Sequence, residues 1–175
     1  QFERIEAAAA RFLPMVVWGN HQEGQRHCVV GTDNFAGGRL AAERLIAAGA
    51  STIGFLGSTD PIEFAARYAG AKAVADDKGV PIRALPTHLS PEHAADEIAA
   101  HLASDMAGID GIFAASDMLA IACMTELQKR GIDVPGGMKL VGFDDLPIAS
   151  QTRPALTTIR QDIAAGAARL ADLLL

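Results

Sequence analysis

The sequence predicts an α/β protein built on parallel strands, and three observations carry that expectation. Short apolar runs without alternation (Cys28-Val29-Val30, Ile53-Gly54-Phe55-Leu56, Ile112-Phe113-Ala114 and Leu140-Val141-Gly142-Phe143) read as strands covered on both faces. Helical patterns follow the runs, and strand-helix pairs in succession require right-handed crossovers and therefore a parallel sheet. Polar residues stand directly after two of the runs, at Ser116-Asp117 and Asp144-Asp145. That is the edge at which an open α/β sheet receives ligands.

Taken in order, residues 3–11 predict a helix, and Phe12-Leu13-Pro14 leads into a strand over Met15-Val16-Val17-Trp18. After Cys28-Val29-Val30, the segment AGGRLAAERLIAAGA predicts a helix turning Leu40, Leu45 and Ile46 toward a sheet. Its Gly37-Gly38 pair lies outside any Gly-x-Gly-x-x-Gly or Walker pattern, so close backbone packing explains it better than phosphate binding. The strand at 53–56 runs into the loop 57–61 and then a helix carrying Glu63, Arg67, Tyr68 and Val74, closed by Gly79. Pro81 to Leu85 starts the next strand, which reaches Thr87-His88-Leu89. Ser90 is expected to cap the following helix, with Pro91 at its first position and an end near Ser104. Ser116 or Asp117 caps the helix that carries Leu119, Ile121, Cys123, Met124 and Leu127, and Gly131 ends it. The strand 140–143 stops at Asp144-Asp145. A loop, an extended Leu156-Thr157-Thr158-Ile159 and an Asp-capped helix to Leu175 complete the pattern.

The composition of the 175 residues, 50% hydrophobic and 21% charged, is that of an ordinary globular α/β chain. A formal net charge of −6 argues against general attraction to nucleic acid or to an anionic membrane. No apolar run approaches the roughly 20 residues needed to span a bilayer. The first residues read as an amphipathic helix rather than a signal peptide. Cys28 and Cys123 both sit in apolar surroundings and are expected to be buried free thiols. His21, His27, His88, His93 and His101 show no zinc-ligand spacing, and there is no nucleophile elbow. No metal, no cofactor and no enzymatic activity are expected.

Arg67 and the Asp144-Asp145 pair are the leading candidates for ligand contact. A helical side chain leans toward the helix N-terminus, so the Arg67 guanidinium can reach over the carboxyl edge of the sheet. Its fork of donors suits hydroxyls, carboxylates or carbonyls. The alternative is an exposed pair with Glu63, worth little. In extended backbone Asp144 and Asp145 would point to opposite sides. One carboxylate could then face a crevice and accept hydrogen bonds from neighbouring hydroxyls of a polyol, while both could equally be solvated turn residues.

Read together, three segments resemble the effector-binding core of the LacI/GalR family of bacterial transcriptional regulators. They are TDNFAGGRLAAERLIAAGASTIGFLG, ASDMLAIACMTELQKRGIDVPGGMKLVGFDD and RPALTTIRQD, in that order along the chain. The resemblance implies a periplasmic binding protein type I-like fold, two doubly wound parallel-sheet lobes with a small-molecule effector, sugar-like, in the cleft between them. On that map residues 1–48 and 158–175 belong to an incomplete N-terminal lobe and residues 49–157 to the C-terminal lobe. The chain is then expected to be a fragment whose operator DNA is bound through a helix-turn-helix headpiece outside it. The resemblance also implies a cytoplasmic homodimer, with Ile121, Met124 and the 148–153 loop as interface positions, the alternative being that these apolar residues are core. By position, Arg67 matches the arginine that anchors the effector and Asp144 the carboxylate opposite it. Ser116 matches a position often held by asparagine, with Asp117 capping the helix and supporting the site. Gln161 matches a polar residue near the crossover, and Leu89 falls where several members place an aromatic ring. Ala36 replaces an acidic contact of some members. Phe113 and Phe143 read as core. The alternative is a sugar-binding protein of the same fold serving a transporter.

Overall fold

The computed structural model describes residues 2–11 and 14–175, so the Phe12-Leu13 lead into the first strand lies outside the described residues. Chain contacts gather these residues into two units, Gln1–Asp33 with Gln161–Leu175 and, separately, Asn34–Arg160. The helix that the family map placed within residues 1–48 accordingly packs in the larger unit.

In the smaller unit, helix α1 (Phe2–Ala9) precedes strands β1 (Val16–Trp18) and β2 (Cys28–Val30). The strands pair in parallel, Val17 opposite Val29. Helix α6 (Ile163–Leu174) packs on both, and Asp162 caps it by accepting the Ala165 amide at 2.9 Å. Gly166 is required at that contact, because a Cβ there would collide with the Trp18 ring. Glu6 of α1 accepts the Arg26 amide at 3.1 Å and stands 2.6 Å from His27 Nδ1, which ties the helix to the approach of β2. Cys28 is not buried as expected: it opens β2 in a sheet of two strands and is exposed. Cys123 is buried, and burial pushes its thiol up to about 12.

The larger unit holds helices α2 (Asn34–Ala47), α3 (Ile62–Lys78), α4 (Pro91–Ser104) and α5 (Asp117–Lys129). Its strands are β3 (Ile53–Leu56), β4 (Ile82–Leu85), β5 (Gly111–Ala114), β6 (Lys139–Asp144) and β7 (Thr157–Arg160). A 3-10 helix over Pro147–Gln151 occupies part of the stretch expected to be a plain loop. All strands are parallel, in the order β4-β3-β5-β6-β7. The chain moves outward from β3 to β4 and then returns to lay β5 on the other side of β3. That reversal creates a crevice at the carboxyl ends of β3 and β5.

The apolar runs behave as read: β3 and β5 are buried at every residue. Phe55 meets Phe113 edge-on at 5.3 Å and Tyr68 at 5.2 Å, and Phe143 completes the aromatic row at 6.4 Å from Phe113. Each such ring contributes roughly 1.5–3 kcal/mol by leaving water. Met124 is part of this core and Ile121 packs against it, which is the core alternative that the sequence left open for these two positions. On helix α2, Leu45 is buried and Ile46 packs against the core as expected, but Leu40 turns outward. The helix buries Gly37, Gly38, Ala41, Ala42 and Leu45, while Leu40 is 55% exposed. A Cβ at Gly38 would strike the Arg67 carbonyl, and one at Gly70 would strike the Phe35 carbonyl. Helices α2 and α3 therefore meet nearly backbone to backbone, and only a face of small residues fits between them.

Two caps separate sequence position from actual bonding. Ser116 is the N-cap of α5 and accepts the Leu119 amide at 3.3 Å. Ser90 occupies the N-cap position of α4, but its side chain makes no capping bond. Ser116→Ala is expected to cost about 1 kcal/mol in urea unfolding. Ser90→Ala should change stability by less than about 0.5 kcal/mol. Equal losses at the two positions would contradict this assignment.

Candidate functional site

Arg67 lies at the crevice and is buried, 4% exposed, rather than paired at the surface with Glu63. Its place on α3 follows from the tight α2–α3 contact, which brings Asn34 at the start of α2 within reach. Arg67 Nε donates to Asn34 Oδ1 at 2.8 Å, and Nη1 donates to the Ala115 carbonyl just past the end of β5. Nη1 also stands 3.8 Å from Asp144 Oδ1 at the end of β6. Beneath the guanidinium, 3.7 Å from its carbon, is the centre of the Phe143 ring, with Phe64 at 5.0 Å. Phe143 is fully buried, so it is core as expected and also a cation-π platform for Arg67. Burial lowers the Arg67 pKa to about 10, against the opposing pull of Asp144 and Glu63. The side chain remains cationic at neutral pH.

Three directions of the guanidinium are thus fixed by protein. Nη2 makes no hydrogen bond to a described residue, and no side-chain nitrogen or oxygen among them is both buried and unsatisfied. Nη2 is the donor that Arg67 offers outward. The Asp144 side chain, which faces Nη1, is 22% exposed.

Asp144 and Asp145 are not extended, as the sequence reading supposed. Their φ angles are 120° and 58°, a region that residues with a Cβ rarely adopt. The turn is held from below. Asp117, fully buried, accepts the Leu146 amide at 2.8 Å and the Thr158 hydroxyl at 2.5 Å. The Asp145 amide in turn donates to Thr158 Oγ1 at 3.4 Å. Asp117 therefore holds the turn after β6 but does not cap the helix; Ser116 takes that role. The Asp117 carboxyl pKa is raised from its ordinary value by burial and by the neighbouring Asp145, opposed by the bonds from Thr158 and Leu146.

Ser116 sits between Ala115 and Asp117 at the same edge and is 8% exposed. Leu89 lies four residues past β4 and is 52% exposed, an apolar surface beyond the end of an edge strand. Gln161 belongs to the smaller unit, where its Oε1 accepts from Thr32 Oγ1 at 2.8 Å. The structure thus brings Arg67, Asp144, Ser116 and Asp117 together on the larger unit. Sequence reasoning missed Asn34, Phe64 and Thr158. Asn34 carried a faint signal as a polar residue ending the 32–34 cluster at a helix start; Thr158 carried none beyond its place in an extended run.

The arrangement sets a cationic fork and a carboxylate side by side at the carboxyl edge of a parallel sheet, where open α/β sheets receive ligands. A family model described as a periplasmic binding protein-like domain matches residues 42–175. The HTH-type transcriptional regulator GalS of Salmonella typhimurium is 31% identical over 164 residues, 92% of this chain and 48% of that protein. The ribose operon repressor of Halalkalibacterium halodurans is 32% identical over 136 residues, 77% of this chain and 41% of that protein. Among solved structures, a LacI family transcriptional regulator from Enterococcus faecium with bound ribose superposes with a TM-score of 0.86 at 29% identity. That match covers 99% of this chain and 66% of that one. The chain belongs to the periplasmic binding protein-like family, as a LacI/GalR-type effector-binding domain. It spans about half the length of the curated relatives it matches.

Proposed function

We propose that this domain senses a neutral sugar or sugar derivative at the carboxyl edge of the five-stranded sheet. In that reading it is the effector domain of a cytoplasmic regulator that binds operator DNA through a separate headpiece and works as a homodimer. The observation that carries the ligand class is the balance of charge. Arg67 already faces a carboxylate 3.8 Å away, so its charge is opposed before anything binds. A hydroxyl can accept from Arg67 Nη2 and donate to Asp144 at once, because it is both acceptor and donor. A ligand carboxylate or phosphate would gain the arginine but be repelled by Asp144. Ser116 supplies a further hydroxyl, and Leu89 an apolar surface for the carbon face of a ring. The regulators among the relatives support this reading over the transport alternative. Ligand control of DNA then follows from linkage: only a difference in effector affinity between two domain states can shift operator occupancy.

The test is thermal unfolding of the full-length protein with matched pairs, D-ribose against D-ribose 5-phosphate and D-galactose against D-galactonate, extended to other neutral pentoses and hexoses. A ligand at 100 times its Kd should stabilise by about 2.7 kcal/mol. The neutral member of a pair is expected to do so and its charged partner not. A charged member that stabilises more than its neutral parent would overturn the neutral assignment.

A further inference from the structure

We propose that Asp117 and Thr158 are positioning residues that hold the Asp144 carboxylate at Arg67 by clamping the two residues after it. The proposal rests on Asp144 and Arg67 being the ligand contacts argued above. The turn that carries Asp144 has two consecutive non-glycine residues at positive φ, 120° and 58°. Such a backbone persists only where its surroundings over-determine it. Here the surroundings are specific. Both oxygens of Asp117 are committed, Oδ2 to the Leu146 amide at 2.8 Å and Oδ1 to the Thr158 hydroxyl at 2.5 Å. The same hydroxyl oxygen accepts the Asp145 amide at 3.4 Å, so Thr158 relays the buried carboxylate to the turn. Gly142 is directly opposite Thr158 in the β6–β7 register, and a Cβ there would collide with Asp117 Oδ1. The absent Cβ thus makes room for the clamp. Asp117 has no exposed surface and cannot itself touch a ligand. Whatever it does for binding it does through the turn.

Thr158→Val removes the hydroxyl while keeping the branched shape, and Thr158→Ser restores it. In the full-length protein, NMR would follow amide exchange at Asp145 and Leu146 and the Arg67 Nε–H signal, alongside the unfolding midpoint. Thr158→Val should speed exchange at both amides by about tenfold. It should also move the Arg67 Nε–H signal, because the carboxylate beside the guanidinium is no longer held. Thr158→Ser should return both to wild-type values. D-ribose and D-galactose serve as ligand probes, and whichever stabilises the wild type should bind Thr158→Val about tenfold more weakly. If Thr158→Val lowers the midpoint but leaves the amides and the Arg67 signal unchanged, Thr158 is only a structural residue and the proposal is wrong. If neither sugar stabilises the wild type, the sugar reading fails for these two compounds, and the ligand-free signals alone decide the clamp.

Discussion

Arg67→Met should destabilise the domain by about 3 kcal/mol and abolish the ligand-induced rise in melting temperature. Methionine fills a similar volume, so the loss reports chemistry rather than a large void. The substitution removes a donor to Asn34 at 2.8 Å, a donor to the Ala115 carbonyl, the charge facing Asp144 at 3.8 Å and the cation over Phe143 at 3.7 Å. A buried hydrogen bond contributes about 1 kcal/mol net, and more when one partner is charged. The desolvation of the guanidinium is recovered at the same time, which keeps the total well below the sum of the parts. Arg67→Lys should fall between, because an ammonium cannot hold Asn34 and Ala115 together in the geometry of a planar fork. Urea unfolding gives the stability and thermal shift the binding. A methionine variant as stable as wild type, with its ligand shift intact, would remove Arg67 from the site.

Gly38→Ala should also lose stability, by about 2 kcal/mol, and here two effects of opposite sign compete. Alanine is favoured over glycine in a helix interior by up to about 1 kcal/mol. Against that, the new methyl would overlap the Arg67 carbonyl, a backbone atom that cannot rotate away. Forcing two packed helices apart costs about 3 kcal/mol, so the clash wins. The damage should reach recognition too, because Asn34 begins the same helix and fixes the Arg67 Nε. Leu40→Ala, two residues on and on the exposed face, serves as the control and should change stability by less than about 0.5 kcal/mol. If Gly38→Ala were neutral or stabilising in urea, the helices would not be in backbone contact.

The contrast between Leu40 and Gly38 shows what the sequence could and could not convey. Strands such as β3 were legible because a strand covered on both faces needs an unbroken apolar run, and few other structures do. The helix ends at Gly79 and Gly131 were legible because both adopt positive φ, 65° and 68°. On α2 only Leu40 was misread, because hydrophobicity marks a buried position only where side chains fill the gap. Where two backbones nearly touch, glycine and alanine are inside and leucine is outside. Arg67 and Asp144 emerged as candidates from their places at a helix start and a strand end, yet neither spacing nor periodicity could choose between a buried anchor and a surface pair with Glu63. Burial chose, and burial depends on contacts such as Asn34 to Arg67, 33 residues apart. The backbone of Asp144-Asp145 was illegible for a related reason. Aspartate does not demand positive φ as a glycine turn does; Asp117 and Thr158 impose it from elsewhere in the chain.

The inward bonds of Arg67 also have a kinetic meaning. An exposed arginine must surrender its rotamer freedom when a ligand arrives, and that loss is charged against affinity. Arg67 gives up this freedom during folding, since Asn34, Ala115 and the Phe143 ring already hold it in one orientation. In the function proposed above, the outward-facing donor is therefore already in place, and binding requires no search by the side chain. Related sugars should arrive at similar rates and differ in how long they stay, so this domain would sort its ligands by residence time.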